Sequence, residues 1–173
     1  MKNSITLVLL LAVIGFACKK DQEAPALPSE EQLAIDLQII DTYIKENNIK
    51  DVLKDCRTGD INTPPNCDGD VSFKQHEEGD VDALYINSSD VSFVASYKGR
   101  LLDTGVEFDA NDSATFTLRR VVLGWEVVLL DSKEGDSLTL YIPSGYGYGY
   151  AGSGDNVPRN ANLIFDIKIL QVN

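Results

Sequence analysis

The chain has 173 residues, 43% of them hydrophobic and 24% charged, and carries a formal net charge of −12 at neutral pH. That length supports one good core and not two. So acidic a chain is a poor candidate for binding nucleic acid or anionic lipid surfaces, and with one His and no CxxC it offers no zinc site and calls for no cofactor.

The first residues read as an address. Met1-Lys2 precedes the apolar run ITLVLLLAVIGFA at 5–17. A basic start and a run shorter than the ~20 residues of a spanning helix fit the opening of a secretory signal. Cys18 follows Gly15-Phe16-Ala17, which resembles a bacterial lipobox with Gly15 in place of the usual Leu. The expectation is a lipoprotein signal peptide at 1–17, a lipid anchor at Cys18 and a home in the bacterial cell envelope. Ordinary signal cleavage, with Cys18 incidental, is the other reading. Residues 18–28, polar with two prolines, form a tether.

Residues 29–70 hold a helix and a loop. Ser29 with Gln32 three residues on is a capping box, and Glu30 and Glu31 sit in the first turn. The helix runs to about Glu46, with Leu33, Leu37, Ile40 and Ile44 on one stripe and Ile39 and Tyr43 beside it. Packing on the main domain and use as a partner surface are both open. Asn47-Asn48 ends it. Cys56 and Cys67 flank the turn-rich segment CRTGDINTPPNC. In an oxidising compartment such a pair suggests a disulfide, two free surface thiols being the alternative. Asp68-Gly69-Asp70 lacks the spacing of a calcium loop.

The rest, 71–173, is one domain. Val71 to Gln75 opens the sheet, and a polar loop follows through Asp90. Phe93, Ala95 and Tyr97 alternate with Ser92, Val94 and Ser96, the pattern of a half-buried strand. Gly99 to Gly105 is expected to turn, 106–109 to be extended and Ala110 to Ala114 to be a polar turn. Asn111-Asp112-Ser113, like Asn87-Ser88-Ser89, matches a glycosylation pattern but reads as a plain turn. Phe116 and Leu118 share a strand face. VVLGWEVVLL, 121–130, is a short helix with Trp125, Val128 and Leu129 on one side. Gly135 suits a left-handed cap after it. Leu138, Leu140 and Ile142 mark the next strand. A glycine- and tyrosine-rich loop spans 143–160, and Leu163, Phe165, Ile167 and Ile169 form one face of the last strand. One apolar helix among two-period strands suggests α+β architecture, a sheet curled around a helix. Trp125 then floors a shallow apolar pocket, the candidate site. His76 has no partner triad and is a surface residue.

Five ordered motifs then carry a resemblance across 91–171: Val94-x-x-Tyr97-x-Gly99; Leu102-Asp103-x-Gly105-x-x-Phe108-Asp109; Phe116-x-Leu118-x-x-Val121-Val122-x-Gly124-Trp125; Ile142-Pro143-Ser144-x-x-x-Tyr148-Gly149; and Val157-Pro158-x-Asn160-Ala161-x-Leu163-x-Phe165-Asp166. This stretch resembles the FKBP-type peptidyl-prolyl cis-trans isomerases. The resemblance implies an antiparallel half-barrel wrapped around one short helix, here with an extra N-terminal helix. It implies a proline pocket in which Tyr97, Phe108, Asp109, Trp125, Tyr148 and Phe165 are catalytic and Phe116, Val121, Val122 and Val157 bind substrate. Trp125 would floor the ring, and the Val122 N–H and Tyr148 hydroxyl would bond carbonyls of the peptide. The implied partners are proline-containing polypeptides and macrolide inhibitors. The chain departs from the family at Leu118, where some members have an aromatic, at Val122 for a more frequent Ile, and in the glycine-rich SGYGYGYAG of 144–152. Two other functions compete: a weakly active or inactive FKBP-like module docking a proline-containing envelope partner, and, least favoured, a general chaperone.

Overall fold

The computed structural model describes residues 29–54 and 69–173. The expected signal segment and tether, with Cys18, and both Cys56 and Cys67 lie outside the described residues.

Helix α1, Ser29–Glu46, comes first. Its end is set by Asn48, which takes a left-handed backbone at φ 52. The Ile49 N–H then bonds the Ile44 carbonyl and the Asn48 N–H bonds that of Lys45, both at 3.0 Å. These two bonds satisfy carbonyls the helix would leave open, with Ile44 and Ile49 packed alongside. At the other end the Gln32 side chain is engaged elsewhere than in the expected capping box. It donates to Asp36 and accepts from Asn160.

Six strands follow in chain order: β1 (Leu53–Lys54), β2 (Ser72–Glu77), β3 (Ser92–Leu101), β4 (Glu107–Thr117), β5 (Ser137–Ile142) and β6 (Leu163–Val172), with helix α2 (Leu123–Leu129) between β4 and β5. They form one sheet in the order β1-β2-β5-β6-β3-β4, each neighbouring pair antiparallel. The expected α+β architecture, an antiparallel sheet with one short helix and an extra N-terminal helix, is therefore what forms, as one open sheet among the described residues.

The central strands carry apolar residues on both faces because both faces are covered. Leu140 and Ile142 of β5, with Leu163, Phe165, Ile167 and Ile169 of β6, meet Trp125, Val128 and Leu129 of α2 in the main core. Tyr141 and Ile164, on the opposite face, meet Ile40 of α1 and Leu102. Gly124 lets α2 approach β5, since a Cβ there would lie 2.6 Å from Ile142.

Three local expectations are corrected. Gly99 lies inside β3 and not in a turn; the turn covers 102–106, closed by the Gly105 N–H on the Leu101 carbonyl at 2.8 Å. Residues 110–114 are not a turn between strands but the middle of one long edge strand, β4. The polar run shows there as a bulge opposite 95–97, where the Ser113 N–H bonds the Asn111 side chain at 2.8 Å. Gly135 does not cap α2. The helix ends at Leu129, and Asp131 takes the positive φ of 66. Gly135, at φ 94, serves the turn into β5 instead, closed by the Asp136 N–H on the Lys133 carbonyl. His76 is exposed on β2, with Nε2 2.8 Å from the Thr139 hydroxyl.

Candidate active site

The site begins with Trp125. It sits in the first turn of α2 and is 3% exposed. Three rings from three other segments meet it edge to face: Phe165 of β6 with centroids 5.2 Å apart, Phe116 of β4 at 5.3 Å and Tyr97 of β3 at 5.5 Å. Edge-to-face packing places positive ring edges on a negative face and contributes about 0.5–1.5 kcal/mol per pair beyond area burial. The indole is thereby fixed in orientation. Its N–H is buried without an acceptor among the described residues, a cost of about 1–3 kcal/mol.

Above this floor opens a hollow of about 230 Å³, lined by Tyr97, Asp109, Phe116, Arg120, Val121, Val122, Trp125, Tyr148 and Phe165. Eight of these nine are residues the sequence assigned to the pocket. Phe108 and Val157 do not reach the lining. Phe108 stands behind it, edge to face on Phe165 at 5.5 Å and on Tyr148 at 6.2 Å. Val157 is 4% exposed, in the main core.

The Phe108–Phe165 pair explains the glycine between them. In the sheet Gly99 of β3 stands opposite Phe165 on one side and Asp109 on the other. A Cβ on Gly99 would lie 2.7 Å from both phenyl rings. The rings close over the strand because no side chain stands there.

The polar groups lie at the rim. The Tyr97 hydroxyl donates to Asp109 Oδ2 at 2.8 Å. Burial, then that hydrogen bond, pushes the Tyr97 phenol up to about 12. Burial, then the charge of Asp109, also raises the Tyr148 phenol. Both therefore remain protonated at neutral pH. The Tyr148 hydroxyl is held by no side chain among the described residues. The Val122 N–H, just ahead of α2, is likewise taken by no acceptor there, while the Val122 carbonyl receives Trp125 and Glu126. The hollow thus presents an apolar floor, aromatic walls and two open donors.

Arg120 is the lining residue the sequence reading missed. It ends the short 3-10 turn Leu118–Arg120 and is exposed. Its signal was adjacency to Val121-Val122, but whether that side chain faces the rim depends on the turn. A second hollow, of about 730 Å³, is lined by Glu77, Glu78, Asp80, Asp82 and Glu134 among others. Lys168, which also lines it, is engaged with Glu77 at 2.7 Å, and the lining Glu78 pairs with Lys133 at 3.0 Å. Lacking an aromatic floor, it does not compete as a site for an apolar ring.

Residues 87–170 match the model of the "FKBP-type peptidyl-prolyl cis-trans isomerase" family. A "Probable FKBP-type peptidyl-prolyl cis-trans isomerase FkpA" of Neisseria meningitidis is 32% identical over 136 residues, 76% of this chain and 44% of that protein. "FK506-binding protein 2" of Aspergillus fumigatus is 42% identical over 82 residues, 44% of this chain and 60% of that protein. The chain thus spans less than two thirds of the length of either relative. Among solved structures, a peptidyl-prolyl cis-trans isomerase of Pseudomonas syringae shares the fold at a TM-score of 0.63 and 23% identity, over 87% of this chain and 99% of that one. FkpA of Escherichia coli superposes at a TM-score of 0.61 and 25% identity, over 83% of this chain and 64% of that one. Residues 87–170 are thus similar to the FKBP-type peptidyl-prolyl cis-trans isomerase family, in sequence through the family model and in fold through the two solved structures.

Proposed function

We propose that the chain accelerates rotation about X-Pro bonds in exported polypeptides by binding them, without covalent chemistry, over Trp125. The observation that carries this reading is the aromatic hollow with two unengaged donors at its edge. Cis and trans X-Pro forms differ by about 0.5–1 kcal/mol, yet they exchange over tens to hundreds of seconds. The obstacle is amide resonance, a barrier of ~18–20 kcal/mol. Rotation makes and breaks no σ bond, so the site has to bind the twisted form better than the planar one. Twisting returns charge from the carbonyl oxygen to nitrogen. A planar, more polar amide loses more by leaving water than the twisted one does, so a dry aromatic pocket lowers the barrier. A reduction of about 5 kcal/mol gives roughly 10³–10⁴-fold acceleration.

Each residue has a part in this reading. Trp125 lies under the ring, Tyr97, Phe116 and Phe165 wall it, and Phe108 backs Phe165. Val121 and Val122 close the α2 side, and Val157 packs behind. The Val122 N–H and Tyr148 hydroxyl hold carbonyls of the peptide, and Asp109, oriented by Tyr97, polarises the edge near the rotating amide. The same pocket would accept a macrolide that mimics the prolyl group.

The test is an X-Pro exchange assay on the full chain beside Tyr148→Phe and Asp109→Leu. Wild type should exceed the buffer rate, Tyr148→Phe should lower kcat/KM about 2–10-fold, and Asp109→Leu should also lower it. Folded wild type with no acceleration would reject catalysis in favour of a docking module. The address is part of the proposal: Cys18 carries lipid and holds the domain at the envelope, and Cys56 pairs with Cys67. Cys18→Ser should move the protein from the membrane to the soluble fraction. Intact-mass analysis after thiol labelling should find Cys56 and Cys67 protected; two labelled thiols in exported protein would reject the bridge.

A further inference from the structure

Asp36 lies on the buried stripe of α1, three residues after Leu33 and four before Ile40, and is 1% exposed. A carboxylate stripped of water needs strong partners. It has them: Oδ2 accepts from the Ser144 N–H at 2.9 Å and the Ser144 hydroxyl at 2.6 Å, and Oδ1 accepts from the Gln32 amide at 2.8 Å. Such bonds to a charged acceptor are the stronger kind. Ser144 opens the loop that carries Tyr148 over the hollow. The far end of that loop returns to the same helix, where the Asn160 amide donates to Gln32 Oε1 at 2.9 Å. Both feet of the loop therefore rest on two residues of α1, one helical turn apart, and neither residue lines the hollow.

Other bonds also hold the loop: the Ser144 N–H reaches Asn162 Oδ1 at 3.0 Å as well, the Tyr146 hydroxyl donates to Asp70 Oδ2 at 2.6 Å, and the Asn160 N–H bonds the Gly149 carbonyl at 2.9 Å. The loop contains Gly145, Gly147, Gly149, Gly152 and Gly154. Glycine loses the most backbone freedom on ordering, and a Cβ at Gly145, Gly149 or Gly154 would touch nothing. At those three positions no packing restricts the backbone, so the bonds at the two feet of the loop, to α1, add to the bonds within it in setting its height.

We infer that α1 is part of the isomerase's working structure, with Asp36 a positioning residue that fixes loop 143–162 and thereby places the Tyr148 hydroxyl over the pocket. The kinetic half rests on the proposed isomerase activity; the anchoring half does not. The experiment uses the full chain as wild type, Asp36→Ala, Asp36→Asn and Ser144→Ala, each with and without Tyr148→Phe. Amide hydrogen exchange and X-Pro kinetics are read on all of them. Asp36→Ala should speed exchange in 144–152 by about tenfold or more while β6 amides stay as slow as in wild type. It should raise KM several-fold more than it lowers kcat. Tyr148→Phe added to it should then cost less than about twofold, because the hydroxyl is already misplaced. Asp36→Asn, which keeps volume and one acceptor oxygen, should fall between. Unchanged loop exchange, or effects of Asp36→Ala and Tyr148→Phe that multiply in full, would overturn the inference. Should Asp36→Ala not fold, Asp36→Asn and Ser144→Ala carry the same comparison. Should wild type not accelerate any peptide, the isomerase reading fails, while loop exchange still decides whether α1 anchors the loop.

Discussion

A methyl group on Gly99 would meet Phe108 Cζ and Phe165 Cε1, each at 2.7 Å. Gly99→Ala is therefore expected to force both rings apart, costing about 1–3 kcal/mol in chemical denaturation and lowering kcat/KM with it. Trp125 gives a sharper contrast. Trp125→Ala should cost about 3–5 kcal/mol. Trp125→Phe should cost well under that, because it also removes a buried N–H that has no acceptor among the described residues. Denaturation midpoints of the two variants check this. The aromatic set was legible because each ring sat in a short motif with fixed spacing. Asp36 stands three and four residues from two members of an apolar stripe, but its partner Ser144 lies 108 residues on, so the local pattern alone does not mark it as an anchor. Arg120 offered no such signal.

The raised phenol of Tyr97 fixes one pH window. The unfolded phenol titrates near its ordinary 10 and the folded one near 12, so between those values the folded state holds more protons. The stabilisation is fully present below pH 10 and is lost as pH rises towards 12. Denaturation across that range should show falling stability in wild type and a flatter profile in Tyr97→Phe.

Among the elements, α1 shows how a local rule survives into structure. Asn48 holds the left-handed position after the helix. Asn48→Gly should be close to neutral and Asn48→Ala should cost about 1 kcal/mol, read by thermal denaturation. The helix end was legible because Asn47-Asn48 carries its own turn chemistry. The end of α2 was not: Gly135 looked like a cap, but the chain had turned at Asp131, whose N–H bonds the Ile86 carbonyl at 2.7 Å. That partner lies 45 residues earlier, beyond the reach of any local pattern. β4 misled for a related reason. The polar run 110–114 sits on a sheet edge, where an exposed bulge tolerates the residues of a turn.

At the scale of the molecule, two apolar layers share one sheet. Alternation in β6 revealed the face towards α2. The opposite face, where Tyr141 and Ile164 meet α1, was hidden because the same face also carries Thr139, Asp166 and Lys168 and so reads as the solvent side. This arrangement puts the pocket on one side of the sheet and its loop anchor on the other. The chain carries −12 overall, but the pocket lining holds one acid, Asp109, and one base, Arg120, so the proposed substrate would be recognised by its apolar ring and its carbonyls and not by bulk charge.

The most direct measurement is two-dimensional NMR exchange on a labelled X-Pro peptide mixed with the full chain, with contacts between proline ring protons and protein side chains read from the same sample. The expected result is cis–trans cross-peaks absent in buffer, together with contacts from the ring to the Trp125 indole and the Phe165 ring. Exchange no faster than in buffer, or acceleration with the ring contacting residues elsewhere, would contradict the account.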